Sequence, residues 1–430
     1  MSMADIEQNH PDVRPGKRSE PAGGLDLILT SVKLLFANGQ STKKIVEVVQ
    51  KLGAKFGVSV SVFPRWGELT MRIEDAAGSR CETIAVEPSG VDMHKVIATM
   101  DVIDQVHDAR IDATTARLAL EGISRLPPVS LARFALLAGA GAAALGVIFD
   151  ATHIVSLVLI ALSAGIGACL RRWLAAKSGN LFVQPFCAAL LAGIVGAVAV
   201  RLQLSSVLRL VAVCPCMVLV PGPHLLNGAL DLARARVSLG IERITYASLV
   251  ILMICAGLVL GLALGGVTLP ASASAQSVPL WYDVPAAGVA VAAYGTFFNM
   301  PWRMLPIPIL VGMLAHACRW AVISRAGATA ETGALVACIV VGIIMTPIAN
   351  RLRLPFAGVA FASVVSLLPG VFLFRMAAGV IDIVMLDERA PRELFVQVTS
   401  DGMTALLIVL AMAFGLILPK MCIDPFTQNH

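Results

Sequence analysis

Residues 219–232 read LVPGPHLLNGALDL, and the LxPG pattern at their start returns as LLPG at residues 367–370. Proline and glycine cost about 3 and about 1 kcal/mol relative to alanine in a helix interior. From Phe356 only 13 residues precede Pro369, too few for a helix to cross a bilayer, and the apolar run resumes at Val371. We therefore predict a helix break inside the membrane at each Pro-Gly pair. The alternative is a simple kink.

The two Pro-Gly pairs lie 148 positions apart. The same offset relates Arg171 to Arg319 and Asn227 to Arg375. Agreement at three places predicts an internal repeat of five helices. Since five is odd, the second copy enters the membrane the other way up, which is the inverted-repeat plan of many secondary transporters. In that plan the substrate site lies between the repeats, at broken helices near the middle of the membrane.

The composition is that of a membrane protein. Hydrophobic residues make up 57% and charged residues 14% of the 430 positions, whereas soluble proteins have about 45–50% and about 25%. Apolar runs near the ~20 residues needed to cross a bilayer predict an all-α membrane region of ten spans. The predicted spans are 131–149, 152–170, 181–200, 205–229, 245–265, 283–298, 304–324, 332–349, 355–380 and 402–419.

The N-terminal part differs from the rest. Residues 1–130 hold 15 Lys/Arg and 17 Asp/Glu, over half of all formal charges. Residues 1–24 are polar and lack an apolar signal core, which predicts a disordered tail. Residues 25–126 show the order helix, helix, three strands, helix, helix, which predicts a small α+β domain. Membrane repeats at 131–265 and 283–419 complete the predicted organisation.

Positive charge predicts the orientation. With the N-terminal domain inside, ten Lys/Arg lie in or beside the inner loops and four in the outer ones, which favours cytoplasmic termini. The nine cysteines lie mostly in apolar runs and have no metal-ligand spacing, so we interpret them as reduced and structural. The composition excludes a disulfide scaffold and a basic nucleic-acid binder.

Several segments resemble the threonine/serine exporter family, most specifically the LxPG segment with its downstream Asn and Asp. They are 35–41 (LFANGQS) with the following helix, the helix at 118–123, 219–232 and 351–370. The resemblance implies a ten-helix exporter of small amino acids in the bacterial inner membrane, multi-pass, fused to a cytoplasmic domain called hydrolase-like. Relatives split into two polypeptides are linked to dicarboxylate export, such as that of succinate. The chain departs from the family pattern around Asn227, so threonine or serine and a dicarboxylate both stay open as substrates.

Three polar residues follow the first break at helical spacing. His224, Asn227 and Asp231 are spaced i, i+3 and i+7, which places them on one face of a helix that begins after Pro221-Gly222. Polar groups in a bilayer are costly and face an aqueous path or a partner. We predict a substrate-binding role for these three residues and for Pro221 and Gly222. For Asp231 the alternative is a solvated loop at the cytoplasmic interface.

The second break has a counterpart to Asn227. Arg375 follows Pro369-Gly370 by five residues, as Asn227 follows Gly222, and its guanidinium is suited to bind a substrate carboxylate with two hydrogen bonds. Pro369, Gly370 and Arg375 complete the predicted substrate site. The alternatives for Arg375 are an internal salt bridge with Asp382 and an interfacial anchor.

The predicted activity is transport and not catalysis. No P-loop or HExxH motif is present, so neither a metal nor a cofactor is expected. The rival is a membrane-anchored enzyme with its site in residues 25–125, where His94 and His107 lie on one helix with Asp101, Asp104 and Asp108. The prediction is ion-driven or facilitated transport by alternating access, with a proton as the candidate coupling ion. The expected partners are a small-molecule substrate and the lipid bilayer; a homo-oligomer stays open.

Overall fold

The N-terminal domain has the predicted order of elements. The structure is a computed structural model that describes residues 20–427 except 77, 152, 204–207, 268–277 and 353. The domain consists of α1 (Glu20–Ala37), α2 (Thr42–Lys55), β1 (Ser59–Arg65), β2 (Gly67–Asp75), β3 (Gly78–Val86), α3 (Met93–His107) and α4 (Ala113–Ser124). Most of the predicted tail, 1–24, lies outside the described residues. Helix α1 begins at Glu20, within the last part of that range.

Alternation of apolar residues buries one face of the sheet. The strands pair antiparallel in the order β1-β2-β3, with Val62 opposite Met71. Leu69, Met71 and Ile73 of the central strand are fully buried in the domain core. This face packs on the helices because successive side chains of a strand point to opposite sides.

Twelve helices follow in the membrane region. They are α5 (Leu131–Ile148), α6 (Ile154–Lys177), α7 (Val183–Arg201), α8 (Leu208–Met217), α9 (Gly222–Ala233), α10 (Val237–Leu264), α11 (Leu280–Phe297), α12 (Pro306–Ala326), α13 (Ala330–Arg351), α14 (Phe356–Val364), α15 (Gly370–Leu386) and α16 (Arg392–Thr427). Short 3-10 turns lie at Trp302–Met304, Val365–Leu367 and Asp387–Arg389.

The number of clear spans is lower than the ten predicted. Within the described ranges, seven helices are long and apolar enough to cross a membrane, and nine if the bent pairs α8–α9 and α14–α15 each count as one span. Helix α11, predicted as the span 283–298, is not among them. Its first turns contain Asp283 and Pro285, which reduce its apolar character.

The last helix is much longer than the predicted span. Helix α16 extends from Arg392 to Thr427, whereas the apolar run covers only 402–419. Polar residues near both of its ends have ion-pair partners: Asp401 pairs with Arg375, and Asp424 with Lys420. Hydropathy counts these residues as polar and so leaves their turns out of the predicted span. It carries no information about the ion-pair partners on α15 and α16.

The two halves of the membrane region use the same helix order and neighbours. Helices α9 and α15 begin 148 positions apart, at Gly222 and Gly370. The packed pairs α5–α6, α6–α7, α7–α10 and α9–α10 correspond to α11–α12, α12–α13, α13–α16 and α15–α16. Helix α5 packs against α11, its counterpart, across the boundary between the halves.

The N-terminal domain is docked on one end of the membrane helices. Asn299, just after α11, accepts from the Val129 N–H through Oδ1 (3.0 Å) and donates to the Asp92 carboxylate through Nδ2 (2.6 Å). The Met93 N–H donates to the Phe298 carbonyl at 2.9 Å. These bonds join the start of α3 and the linker before α5 to the end of α11.

Candidate functional site

The first Pro-Gly pair is a break between two helices. Helix α8 ends at Met217 and α9 begins at Gly222, with a bend of 54° between them. The Met217 carbonyl accepts a hydrogen bond of 2.5 Å from the hydroxyl of Tyr294, which is buried on α11. This bond satisfies one of the backbone groups that the break removes from the helical ladder, as an apolar environment demands.

The second Pro-Gly pair has the same form. Helix α14 continues as the 3-10 turn Val365–Leu367, and α15 begins at Gly370 with a bend of 66°. All residues from 354 to 371 are buried. The predicted breaks are therefore present, and both lie inside the protein, which is where a bilayer tolerates irregular backbone.

The two breaks touch each other across the halves. A Cβ built on Gly222 would overlap the ring of Phe361 on α14, and one built on Gly370 would lie 2.7 Å from Cγ of Met217 on α8. Each glycine thus permits close approach of the other half's first short helix. The binding of substrate by Pro221, Gly222, Pro369 and Gly370 stays a prediction.

Asn227 holds the N-terminal domain. Its Nδ2 donates to the Gly39 carbonyl at 3.2 Å, and the side chain is 2% exposed. Gly39 ends α1 with φ of +89°, and the next N–H, of Gln40, donates to the Leu35 carbonyl at 3.0 Å. Such a left-handed glycine after a helix reverses the chain and turns its carbonyl outward. The two most recognisable sequence segments, 35–41 and 219–232, are therefore in direct contact.

Asp231 lies in a buried ion-pair cluster and not in a solvated loop. It is 2% exposed. Its Oδ2 accepts from the Thr42 hydroxyl at 3.1 Å and lies 3.3 Å from Nε of Arg243 on α10, while Arg236 lies 3.7 Å from Oδ1. The loop alternative for Asp231 is wrong because the N-terminal domain covers this end of α9. Arg243 is itself fully buried.

His224 faces aromatic residues. Its ring lies edge-on to Tyr246 of α10 at 5.1 Å and to Trp66 at 6.1 Å, measured between centroids. Trp66 occupies the turn between β1 and β2, and its N–H donates to Glu242 of α10 at 2.9 Å. All three predicted residues of α9 thus meet the N-terminal domain, each through a different part of it.

Arg375 has an ion-pair partner other than the one considered from the sequence. Its Nε lies 3.1 Å from Oδ2 of Asp401 on α16, and both side chains are largely buried. Arg375, Asp382 and Asp401 line one small void of about 10 Å³. Asp382 nevertheless forms no ion pair with Arg375 within the described chain. The partner was missed because Asp401 lies in another helix, where sequence spacing carries no signal.

A small void adjoins the first break. It measures about 10 Å³ and is lined mainly by alanine and glycine of α5, α6 and α7, together with Pro215 and Leu219. Arg171 and Ser163 of α6 also line it. The Nε and Nη1 atoms of Arg171 and the Ser163 hydroxyl have no hydrogen-bond partner among the described residues. The guanidinium lies over the ring of Phe297 at 4.6 Å.

A larger cavity lies between the N-terminal domain and the membrane helices. It has a volume of about 610 Å³, and three carboxylates and five cations line it, the cations being Lys43, Lys44, Lys51, Arg234 and Lys420. Asp424, near the end of α16, lies 3.0 Å from Lys420, 3.2 Å from Lys43 and 3.4 Å from Arg234. Lys420 and Asp424 both lie in the last turns of α16.

No group of three or more His, Cys, Asp or Glu side chains that could hold a metal occurs in the described parts of the chain. The polar helix considered for the rival enzyme is α3. There Asp101 accepts from Gln105 at 2.9 Å, and the His107 carbonyl accepts from Lys55 at 3.0 Å, both at the surface. These contacts are those of a solvated helix face.

Comparison with known families agrees with the division of the chain. A family model described as a threonine/serine exporter matches residues 26–265, and a second, described as Threonine/Serine exporter, ThrE, matches residues 283–422. The first match ends just after α10, and the second begins in the first turn of α11. Neither a curated protein nor a solved structure gives a match. Since the first match alone covers more than half of the chain, the protein belongs to the threonine/serine exporter family.

Proposed function

We propose that this membrane exporter moves small carboxylates, threonine and serine first among them, by alternating access of two inverted five-helix repeats. The observation on which the proposal rests is the mutual contact of the two broken spans, Gly222 against Phe361 and Gly370 against Met217. Broken helices that meet at a repeat interface are the usual substrate site of such transporters. The proposal also places the protein in the bacterial inner membrane with both termini cytoplasmic.

Ten crossings fit the contacts better than nine. The end of α11 meets the N-terminal domain through Phe298 and Met93. The segment before α11 meets the far part of α12, where Trp320 donates to the Val278 carbonyl at 2.9 Å. One end of α11 thus lies at the N-terminal domain, and its other end lies beside the end of α12 that is remote from that domain. Helix α11 therefore crosses the same layer as α12. Two sets of five spans follow, and an odd set is repeated only in the inverted orientation.

Carboxylate recognition is assigned to the void beside the first break. Arg171 offers unpaired N–H groups and Ser163 an unpaired hydroxyl, and a buried cation of this kind binds a carboxylate through charge-assisted hydrogen bonds. The alanine and glycine lining suits a small side chain. The void enlarges when the breaks separate. Asn227 and Arg375 join the site when they exchange Gly39 and Asp401 for substrate.

The N-terminal domain acts as the cytoplasmic gate in this proposal. Asn227, Asp231 and His224 are buried against its surface, so this conformation is closed on that side. Opening breaks the Asn227–Gly39 and Thr42–Asp231 hydrogen bonds and exposes the polar face of α9.

A dicarboxylate is the second candidate substrate. The observation that favours it is the excess of cations around the 610 Å³ cavity, which would attract a doubly charged anion more strongly than a zwitterion. The export panel below therefore includes succinate.

The test is exchange of radiolabelled substrate in proteoliposomes with threonine, serine, glycine, leucine and succinate. The variant is Arg171→Lys, and the matched control is Arg172→Lys on the next position of α6. Lysine keeps the charge but loses the two-pronged geometry. We expect Arg171→Lys to weaken apparent affinity by about 1.5–3 kcal/mol, or about 10- to 150-fold. Equal affinities for the two variants would remove Arg171 from the site, and no exchange of any compound by the wild type would refute export.

A further inference from the structure

A buried polar chain connects three elements of the second half and has no part in the site described above. His316 on α12 lies 3.0 Å from Asp283 Oδ2 through Nδ1 and 2.5 Å from the Ser366 hydroxyl through Nε2. Asp283 belongs to α11, and Ser366 to the 3-10 turn immediately before Leu368-Pro369-Gly370. The exposed fractions of the three residues are 4% or less.

His316 lies at the middle of α12, a helix long and apolar enough to cross a membrane. It is ten residues from each end of α12. A rise of 1.5 Å per residue puts it about 15 Å from both ends, half the thickness of an apolar layer of about 30 Å. An ionisable side chain at this depth is costly, and such residues mark ion pathways and proton relays.

We propose that Asp283, His316 and Ser366 form a proton-binding site that couples proton movement to the second break. The inference rests on the proposed export function and names its coupling ion. Neutral His316 with hydrogen on Nδ1 donates to Asp283 and accepts at Nε2 from the Ser366 hydroxyl. When His316 takes up one proton, Nε2 becomes a donor, and Ser366 must accept.

Reversal of the hydrogen bond between Ser366 and His316 links proton uptake to the hydrogen bonding of the second break. The hydroxyl hydrogen of Ser366 then needs a new acceptor, and the nearest class of acceptor is a backbone carbonyl of α14 or of the turn. The second break thus has a different hydrogen-bond pattern in each protonation state. No other bond forms or breaks, and the proton leaves by the reverse exchange.

The surrounding charges are few. Arg319, one turn from His316 on α12, interacts electrostatically with Asp283 and offsets its charge. From α13 the titratable groups are Glu331, in the first turn, Cys338, packed against Gly415 of α16, and Arg351, the last residue of the helix. Helix α14 contributes none. Asp283 therefore has His316 as its ion-pair partner within the described chain, and the pair can gain or lose a proton without disrupting another bridge.

The first half has no counterpart of the Asp283–His316–Ser366 hydrogen-bonded set at the corresponding positions. At the offset of 148 positions, Asp283, His316 and Ser366 correspond to Ala135, Ala168 and Val218, whereas Arg319 corresponds to Arg171. The cation is thus present in both halves, but only the second half supplies a carboxylate and an imidazole beside it. The structure assigns the proton to the second half and leaves the unpaired Arg171 of the first half for the substrate carboxylate.

The test separates coupling from transport in proteoliposomes made with the full chain. One assay imposes a gradient of one pH unit and measures accumulation of labelled threonine, or of whichever compound the panel identifies. A second measures exchange at equal pH, and a third records internal pH with a trapped dye. With one proton per substrate, the wild type should reach an accumulation ratio of about tenfold, since one pH unit corresponds to one factor of ten.

The variants are His316→Gln, Asp283→Asn and Ser366→Ala, with Ser363→Ala as the matched control. Ser363 is a buried serine of α14 that donates to backbone carbonyls of Pro308 and Val359. We expect the three variants to lose accumulation and the pH signal while exchange stays within about threefold of wild type, a difference below 1 kcal/mol. Ser363→Ala should behave as wild type.

Several results would overturn the proposal. They are retained accumulation in His316→Gln or Asp283→Asn, loss of exchange together with accumulation in correctly folded variants, and a wild type that exchanges substrate without regard to pH. If the two charge variants fail to fold, Ser366→Ala decides alone, because it keeps both titratable groups and removes only the link to the break. Absence of any exchange by the wild type would instead refute the export function itself.

Discussion

Replacement of Gly222 by alanine tests the contact between the two breaks. The added Cβ would fall among the Cε and Cζ atoms of the Phe361 ring, closer than real atoms approach. That ring is 3% exposed, and Tyr294 and Phe298 pack beside it with centroids 6.5 and 6.4 Å away. A ring held on two sides cannot turn aside, so α9 must shift.

The cost follows from comparison with the second break. Neither Gly222 nor Gly370 has a positive φ, so alanine fits the backbone at both positions and the clash decides the outcome. Overpacking costs about 1–3 kcal/mol, and we expect the upper end at Gly222. At Gly370 the added atom meets the Met217 side chain, which is flexible and can move, so about 1 kcal/mol is expected there. The difference of about 2 kcal/mol is a factor of about 30 in the unfolding equilibrium.

The assay is unfolding of the purified protein in detergent, with Gly370→Ala as the matched control. A double-mutant cycle adds Phe361→Ala, which removes the ring and should make Gly222→Ala nearly neutral. Additive costs in that cycle, or equal stabilities of the two glycine variants, would show that the breaks do not touch as described. Helix propensity alone would predict a gain in stability for Gly222→Ala, since alanine is a better helix former than glycine.

Two further predictions concern ion pairs. Arg375→Ala should lower stability by about 3 kcal/mol through the unpaired Asp401 that it leaves, and a second change, Asp401→Ala, should restore stability whereas Asp382→Ala should not; rescue of stability by Asp382→Ala would mean that the ion pair is wrongly assigned. Asp424→Asn should cost about 3 kcal/mol in thermal unfolding, because Arg234 and Lys420 then lose the carboxylate that they share, while Lys43 keeps Glu47 at 3.7 Å. Its control, Asp382→Asn, should change little, and equal effects of the two would refute the cluster.

Local signals in the sequence predicted much of this fold. The order of elements in the N-terminal domain follows from periodicity and turn residues. The positions where α9 and α15 begin follow from the chemistry of Pro-Gly. The stop after α1 follows from Asn38-Gly39, since glycine alone adopts φ of +89° without strain. Each of these features depends on neighbours within a few positions.

The environment of the polar residues could not be predicted in this way. His224, Asn227 and Asp231 were placed correctly on one face of a helix, but nothing near them indicates that Gly39, Thr42 and Trp66 cover that face. The partner of Arg375 and the buried position of Arg243 likewise depend on the packing of separate helices. Helix α11 was predicted as a span from its short apolar run, and its polar first turns keep it below the hydropathy of the clear spans.

The contact between segments 35–41 and 219–232 joins the N-terminal domain to the first broken span. A carbonyl turned outward by Gly39 is useful only if a donor such as Asn227 meets it, and Asn227 is tolerable in an apolar layer only if that carbonyl is present. Each segment therefore constrains the other, although one belongs to the N-terminal domain and the other to a broken span. Since α9 begins at the first break, any tilt of α9 must strain or release this bond. This hydrogen bond joins the N-terminal domain to the helix that begins at the first break, and under the proposed alternating-access mechanism we expect the break to move and the domain to detach together.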